Sequence, residues 1–221
     1  CVDSKIKYFI FSSTCVVYGD IKKNKITEND IKLPTSIYGK TKLIGEDIIK
    51  YYAKKYNFKF VILRYFNVIG SDSKLRTGPI KNTGHLFGNI IESFLKKKMT
   101  FNLYGTNYKT PDKTAIRDYI DVEDISKIHL EAYNKIKQTN KSYEFNCGVG
   151  NGYSVLEILK TFEKMISQKF NIIKNKPRPG DTERLVCDNK YINNILNLKL
   201  KNNLYKSISN VINWKKKVDQ K

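Results

Sequence analysis

The feature that most constrains the fold is a β-rich run, a long helical pattern and a second β-rich run, in that order. The two β-rich runs are Lys5 to Phe11 and Phe58 to Leu63. Between them, Ile37 to Tyr56 carries apolar side chains at helical spacing, after Pro34 and Ser36 punctuate its start. Two strands joined by such a helix are typical of a parallel sheet, in which ligands bind beyond the carboxyl ends of the strands.

The rest of the chain continues this alternation. A strand is predicted over Tyr143 to Cys147, and Ser154 with Glu157 forms a capping-box pattern. The chain from Ser71 to Gly84 is polar and irregular, whereas the turn-rich loop from Gly105 to Asp112 is long enough to be functional. The later helical patterns are Leu86 to Lys98, Val122 to Lys137, Ser154 to about Gln168, Lys190 to Leu196 and Tyr205 to Lys217. Together these patterns predict an α/β fold.

Length and apolar content limit the classes of protein to which the chain can belong. With 221 residues and 40% hydrophobic residues, the chain can form one domain or a domain and a half. No apolar run approaches the ~18 residues of a membrane span, so no membrane partner is expected. The chain begins at Cys1, without an initiator Met or a signal-peptide core. We therefore expect it to start inside a longer protein.

Charge and cysteine usage exclude further classes. The net charge of +20 raises nucleic acid as a partner, but five of the 41 basic residues are Arg and the lysines are scattered. We therefore expect a general compositional bias and no nucleic-acid partner. The four cysteines form no C-x-x-C pair and lie far from both histidines, so no metal site or disulfide is expected. A reducing cytoplasm is the predicted location.

A Tyr and a Lys four residues apart suggest redox chemistry, but the spacing alone is not specific. Four such pairs occur: Tyr18/Lys22, Tyr38/Lys42, Tyr51/Lys55 and Tyr133/Lys137. Only Tyr38/Lys42 lies in the first turn of a helix that follows the polar end of a predicted strand. There Lys42 would lower the pKa of the Tyr38 phenol, and Thr14 would share a substrate hydroxyl with it. The alternative is an ordinary solvated helix face.

Eight short motifs supply the context for this pair. In chain order they are Phe11–Gly19, Tyr38–Lys42, Leu63–Asn67, Tyr104–Tyr108, Arg117–Ile120, Asn146–Gly148, Ser154–Leu156 and Arg178–Asp181. Over essentially the whole chain they closely resemble the UDP-glucose 4-epimerase family of extended short-chain dehydrogenases/reductases. The resemblance implies the C-terminal part of a Rossmann-like parallel sheet plus a smaller α+β substrate-binding domain. It implies an NAD-binding part over residues 1–70 and 116–150, and a nucleotide-sugar part over 71–115 and 151–221.

The resemblance also implies the site residues. Thr14, Tyr38 and Lys42 would be catalytic and would contact NAD, as would Tyr65 and Phe66. The UDP-hexose substrate would be bound by Asn67, His85, Leu86, Asn102, Tyr104, Arg117, Arg178 and Asp181. Arg suits phosphate because it makes bidentate, permanently charged contacts. The family further implies a homodimer.

Two positions depart from the family pattern, and one expected segment is absent. Asp121 stands where His is common, and Leu185 stands where a pocket-wall Tyr or a small residue is usual. We expect Asp121 to affect local packing or charge, and Leu185 to leave the choice of N-acetylated sugars open. The glycine-rich nucleotide loop should lie upstream of Cys1, so the 221 residues alone are expected to bind NAD poorly and to turn over weakly.

Three alternatives stay open on sequence alone. The first is another extended short-chain enzyme acting on nucleotide sugars, such as a dehydratase, although Thr14-Cys15 lacks the acidic pair that a dehydratase should carry. The second is a non-catalytic protein that retains the nucleotide-sugar pocket. The third is a nucleic-acid binder, whose DNA affinity would depend strongly on salt and would not be competed by UDP.

Overall fold

Strands and helices alternate along the chain in a computed structural model that describes residues 1–80, 84–200 and 203–219. In chain order the elements are β1 (Tyr8–Thr14), a 3₁₀ turn (Cys15–Tyr18), α1 (Ile37–Tyr56), β2 (Lys59–Tyr65), β3 (Asn67–Ile69), α2 (Leu86–Leu95), β4 (Thr100–Tyr104), β5 (Ile116–Asp121), α3 (Val122–Thr139), β6 (Tyr143–Cys147), β7 (Gly152–Ser154), α4 (Val155–Ile166), β8 (Asn171–Asn175), β9 (Arg184–Leu185), α5 (Lys190–Leu196) and α6 (Leu204–Asp219). The predicted bounds of α1, β6 and α5 are confirmed. The irregular stretch predicted over Ser71 to Gly84 includes residues 81–83, which lie outside the described residues.

The first sheet is parallel, and its strands end together. Its strand order is β1-β2-β6, with Thr14 opposite Tyr65 and Tyr65 opposite Cys147. Helix α1 forms the crossover between β1 and β2, which confirms the predicted strand–helix–strand unit. Strand β1 runs to Thr14, three residues beyond the predicted strand. The polar end of β1 therefore lies at the carboxyl edge of the sheet, where ligands bind in this architecture.

Helices cover both faces of this sheet. Side chains alternate between the faces of a strand, so Ser13 and its register partner Arg64 face α1, while Tyr65 faces α3. Below Tyr65, apolar residues of β2 and β6 pack against α3 and α5 in one core: Val61, Leu63, Ile125, Ile128, Ala132, Ile136, Phe145, Ile192 and Leu196. Burial on both faces explains the apolar run from Phe60 to Leu63 in β2.

Two smaller sheets complete the fold. Strand β5 pairs in parallel with β3 and β9 and antiparallel with β7, and β4 pairs in parallel with β8. A second core lies between helices α2, α4 and α6, with Phe87, Ile91, Phe101, Leu159, Phe162, Ile208 and Val211 among its buried members. The sequence analysis did not predict β3, β4, β5, β7, β8 or β9 as strands, because short strands that depend on pairing with distant residues carry little local signal.

Local signals explain where the main helices begin. The Ser36 hydroxyl accepts a hydrogen bond of 3.0 Å from the Gly39 N–H, which caps α1 and places Tyr38 in its first turn. The predicted capping box of α4 is confirmed, since Ser154 and Glu157 each accept the other's backbone N–H. Within the described ranges, no helix is long and apolar enough to cross a membrane, and no cluster of His, Cys, Asp or Glu could hold a metal ion.

Candidate active site

A cavity of about 570 Å³ opens at the carboxyl edge of the first sheet and continues beside the second sheet. Its volume lies within the range of small-molecule binding sites. Twelve of the thirteen predicted site residues line it: Thr14, Tyr38, Tyr65, Phe66, Asn67, His85, Leu86, Asn102, Tyr104, Arg117, Arg178 and Asp181. Lys42, the thirteenth, lies one helical turn from Tyr38. The fold thus brings residues from positions 14 to 181 to one cavity.

The Tyr38/Lys42 pair stands at the edge of the cavity. Lys42 Nζ donates a 2.9 Å hydrogen bond to the Ser12 carbonyl and lies 5.9 Å from the centroid of the Tyr38 ring. Thr14 is buried at the end of β1, where its hydroxyl accepts a 3.4 Å hydrogen bond from the Val16 N–H. The Tyr38 ring is 56% exposed. The Thr14 hydroxyl, the Tyr38 phenol and the Lys42 ammonium therefore all lie near the end of β1 and the first turns of α1.

Tyr65 joins the site to helix α3 through a chain of hydrogen bonds. Its hydroxyl lies 2.7 Å from Ser12 Oγ and 2.9 Å from His129 Nε2. His129 Nδ1 lies 2.9 Å from the Ile125 carbonyl, so Nδ1 must be the donor. These contacts link Ser12, Tyr65 and His129 in one hydrogen-bonded chain. Burial raises the pKa of Tyr65, so its phenol stays protonated.

An apolar wall closes the cavity below Thr14. Phe66, Cys15 and Leu185 are each 4% exposed and belong to one buried cluster. Leu185 lines the cavity, as the departure from the family pattern predicts for this position. Burial raises the pKa of the Cys15 thiol to about 12, so this cysteine is a wall residue and not a nucleophile.

The same cavity is lined by groups suited to hold a base and a phosphate. The Arg178 guanidinium lies 4.2 Å from the centroid of the Tyr104 ring, within cation–π distance. Arg117 donates 2.9 Å and 2.7 Å hydrogen bonds to the carbonyls of Ile116 and Thr182 and lies 4.0 Å from Asp181. These contacts fix the Arg117 guanidinium in place, whereas the Arg178 guanidinium is held by stacking.

Helix α2 points its N-terminus at the same cavity. His85, Leu86 and Phe87 all line the cavity. His85 is the N-cap, and its side chain makes no capping hydrogen bond within the described part of the chain. The first N–H groups of a ten-residue helix are therefore available to an anion.

The departure at Asp121 has a local structural explanation. Asp121 is the N-cap of α3, where its carboxylate accepts a 2.8 Å hydrogen bond from the Glu123 N–H. The same carboxylate accepts a hydrogen bond from the Ser207 hydroxyl on α6. Asp121 therefore acts on local packing, because its carboxylate links the start of α3 to α6. Asp118, in the same strand, is buried and accepts three backbone hydrogen bonds, from Val149, Gly150 and Cys187.

A buried charge network beneath Thr14 was not predicted. Arg64 and Glu46 are both fully buried and form a bidentate pair, with N···O distances of 2.9 Å and 2.7 Å. Glu46 also accepts a 2.6 Å hydrogen bond from Ser13, while Arg64 contacts Glu144 and donates to the Tyr18 hydroxyl. The available signal was a lone Arg inside the apolar run of β2. Buried arginines need a partner, but spacing could not identify Glu46.

A parallel sheet with polar side chains gathered at its carboxyl edge above a cavity defines the class of α/β nucleotide-binding proteins. The model of the NAD dependent epimerase/dehydratase family matches residues 1–148. The chain belongs to this family, and the predicted resemblance and fold class are confirmed.

Relatives and solved structures agree with this assignment. The chain is 36% identical over 217 residues to a UDP-glucose 4-epimerase of Lactobacillus helveticus, covering 97% of this chain and 66% of the relative. It is also 36% identical over 220 residues to a probable UDP-arabinose 4-epimerase of Oryza sativa subsp. japonica, covering 96% of this chain and 52% of the relative. The structure of a UDP-glucose 4-epimerase from Bifidobacterium longum, in complex with NAD⁺ and UDP, superposes with a TM-score of 0.90 at 31% identity, over 97% of this chain and 65% of that one. The chain thus spans between about half and about two thirds of these proteins.

Proposed function

We propose that the protein is an NAD-dependent epimerase that interconverts UDP-glucose and UDP-galactose at the sugar C4. One observation carries this proposal: a single cavity is lined by Tyr38 and Thr14 together with Arg178 and Asp181. The first pair suits proton transfer from an alcohol, and the second pair suits a nucleoside diphosphate. The names of the relatives, all 4-epimerases of UDP-sugars, support the same substrate class.

In the proposed reaction, residues of this chain accept one proton from the sugar and later return it. Tyr38 as a phenolate accepts the proton of the sugar 4-hydroxyl, while the Thr14 hydroxyl hydrogen-bonds the same oxygen. The Lys42 ammonium, one turn away on α1, stabilises the phenolate. After the 4-keto sugar has turned over in the cavity, Tyr38 returns the proton to the 4-oxygen. The sugar thereby leaves as the other C4 epimer.

The residues present fit the nicotinamide end of NAD. Lys42 has three N–H donors and uses one on the Ser12 carbonyl, so it can also hold ribose hydroxyls. Tyr38 lies within reach of the same position, and Phe66 offers an apolar wall. The chemistry that NAD supplies when bound is the removal and return of the sugar C4 hydrogen with two electrons.

The product of the reaction separates this proposal from its rivals. With UDP-glucose and NAD, an epimerase forms UDP-galactose, whereas a dehydratase forms a 4-keto-6-deoxy sugar. A non-catalytic binding protein would bind UDP-glucose and form neither product. The absence of a carboxylate from Thr14 and Cys15 favours the epimerase. UDP-sugar binding with only the deoxy-keto product would refute the proposed reaction.

Replacing Arg178 by Ala is expected to weaken UDP binding about 30-fold, equivalent to about 2 kcal/mol. The substitution removes both the charge that meets the diphosphate and the contact with the Tyr104 ring. Titration calorimetry with UDP measures the effect. Arg184→Ala is the matched control, because Arg184 donates to the Asn24 carbonyl and does not line the cavity. Equal UDP affinity in Arg178→Ala and the native protein would show that the diphosphate binds elsewhere.

We also propose a homodimer that forms through helix α1. The outer face of α1 carries four large side chains at helical spacing, each more than 40% exposed: Ile44, Ile48, Tyr51 and Tyr52. An apolar stripe of this kind is typical of a protein–protein interface. A second copy of the chain, presenting the same stripe, would cover it symmetrically.

Ile48→Glu is expected to convert the dimer into a monomer at micromolar concentration, because it places a charge within the proposed interface. Analytical ultracentrifugation measures the change. The control is Leu130→Glu on α3, which is exposed on the other face of the sheet. A native protein that sediments as a monomer, or an Ile48→Glu variant that stays dimeric, would disprove this interface.

Two further predictions stay proposals. The division into an NAD-binding part (1–70 and 116–150) and a nucleotide-sugar part (71–115 and 151–221) is supported by the two separate cores, although α5 packs on the first core. A cytoplasmic location fits four cysteines that are all free. Cell fractionation would test the location.

A further inference from the structure

Helix α6 contacts both the substrate-facing helix α2 and the chain that leads into it. Its inner face carries Leu204, Ile208, Val211 and Ile212, which pack in the same core as Phe87, Ile90 and Ile91 of α2. Beyond this core, the outer turns of α6 meet the segment Leu75–Ile80. This segment is part of the connection between Asn67, at the start of β3, and His85, at the start of α2. Both ends of the connection line the cavity.

Trp214 makes the central contact between α6 and this segment. A Cβ built on Gly78 would lie 2.6 Å from Trp214 Cδ1 and 2.7 Å from its Cγ, so the indole lies directly on the glycine backbone. Trp214 Nε1 also donates a 3.1 Å hydrogen bond to the Pro79 carbonyl. The indole therefore fits this segment only because residue 78 has no side chain.

Two lysines of α6 extend the contact along the segment. Lys215 Nζ donates to the Ile80 carbonyl at 2.5 Å, and Lys217 Nζ donates to the Leu75 carbonyl at 2.7 Å. At the other end of α6, the Ser207 hydroxyl donates to Asp121. Helix α6 is thus held to α3 and α2 while it binds the segment at several points.

We propose that Trp214 is a positioning residue for the nucleotide-sugar site: it joins the segment Leu75–Ile80 to α6, which packs on α2, so that the N-terminus of α2 faces the substrate diphosphate. The proposal rests on the proposed function, because it requires a diphosphate at α2. Trp214 does not line the cavity and acts only through the segment. Without the Trp214 contact, the segment becomes ordered only when the ligand binds. The free energy spent on this ordering lowers the affinity for the part of the ligand that α2 contacts.

A comparison of UDP binding with uridine binding distinguishes a positioning role of Trp214 from a general structural role. The resemblance assigns Asn102 and Tyr104 to uracil and Asp181 to ribose, and these residues lie outside the segment that Trp214 contacts. The diphosphate, by contrast, is proposed to meet the N-terminus of α2 as well as Arg178. In titration calorimetry, Trp214→Ala is expected to weaken UDP binding about tenfold and to leave uridine binding unchanged. Gly78→Ala should reproduce the effect with Trp214 still present, and Trp214→Phe should keep UDP affinity within about twofold. The matched control is Tyr205→Ala, at a 53% exposed position of the same helix.

The native protein supplies a second readout, because Trp214 is the sole tryptophan of the chain. UDP is expected to change its fluorescence, and uridine is expected to leave it unchanged. Native UDP affinity in both Trp214→Ala and Gly78→Ala would overturn the proposal, as would an equal loss of UDP and uridine binding. A native protein that binds neither ligand would instead refute the proposed function.

Discussion

Replacing Tyr38 by Phe is expected to lower the rate of UDP-glucose and UDP-galactose interconversion by about 10²- to 10⁴-fold, the usual contribution of a general base. The substitution removes one oxygen from the proposed base and keeps the ring. Binding of UDP should stay unchanged, because the groups proposed to hold the nucleotide, Arg178 and Asp181 among them, keep their side chains. The rate is measured with UDP-glucose and NAD added.

The chain contains a closely matched control for this experiment. Tyr133 and Lys137 repeat the Tyr-x-x-x-Lys spacing on α3, but Tyr133 is 43% exposed and does not line the cavity. Tyr133→Phe should therefore retain the native rate. Full activity in Tyr38→Phe would mean that another group takes the proton, and the assignment of the catalytic base would be abandoned.

The largest expected effect on stability comes from Glu46→Gln, which should lower the free energy of unfolding by about 3 kcal/mol. Glu46 and Arg64 are each 0% exposed, so the neutral amide leaves a buried guanidinium with only Glu144 as a charged partner. The amide nitrogen of the variant also carries N–H groups, which would face the donor groups of Arg64 and Ser13 instead of accepting from them. Urea denaturation of the native and variant proteins measures the loss.

A second substitution tests whether the loss arises from the pair itself. Removing both charges in the double variant Glu46→Gln, Arg64→Met should cost less than the sum of the two single losses, because each single variant leaves a buried partner behind. Asp20→Asn is the control for an exposed pair, since Lys22 and Asp20 are 72% and 45% exposed, and its effect should stay below about 1 kcal/mol. Additive losses in the double variant would exclude coupling between Glu46 and Arg64.

Local signals made part of the fold predictable. Helix α1 was predicted with its observed bounds because Pro34 and Ser36 mark its start and its apolar side chains recur at helical spacing. In the structure Ser36 caps the first turn, and Asn57, in a left-handed conformation, ends the helix. Strand β6 alternates Tyr143, Phe145 and Cys147 with the polar Glu144 and Asn146, which is a strand pattern. By contrast, β3 and β9 have three and two residues, and they form only because each pairs with β5. Long-range pairing of this kind leaves no local signal in the sequence.

The site was predictable for a different reason. No single motif was specific, but the order of Tyr38, Asn67, Arg117 and Arg178 along the chain indicated a family, and the fold then placed them at one cavity. The Arg64–Glu46 pair and the contact of Trp214 with Gly78 join residues 18 and 136 positions apart. Because such contacts depend on packing between separate elements, spacing could not reveal them.

The central position of β5 also determines the order in which a growing chain can become structured. The three described strands of the first sheet have all been made once Cys147 has been added, whereas β5 must wait for β7 and finally for β9 at Leu185. Contacts between distant residues form slowly, because a long loop must close before they are gained. The cavity needs Asp181 and Leu185, so during synthesis the strand that carries Thr14 can pair with β2 before a place for the substrate exists.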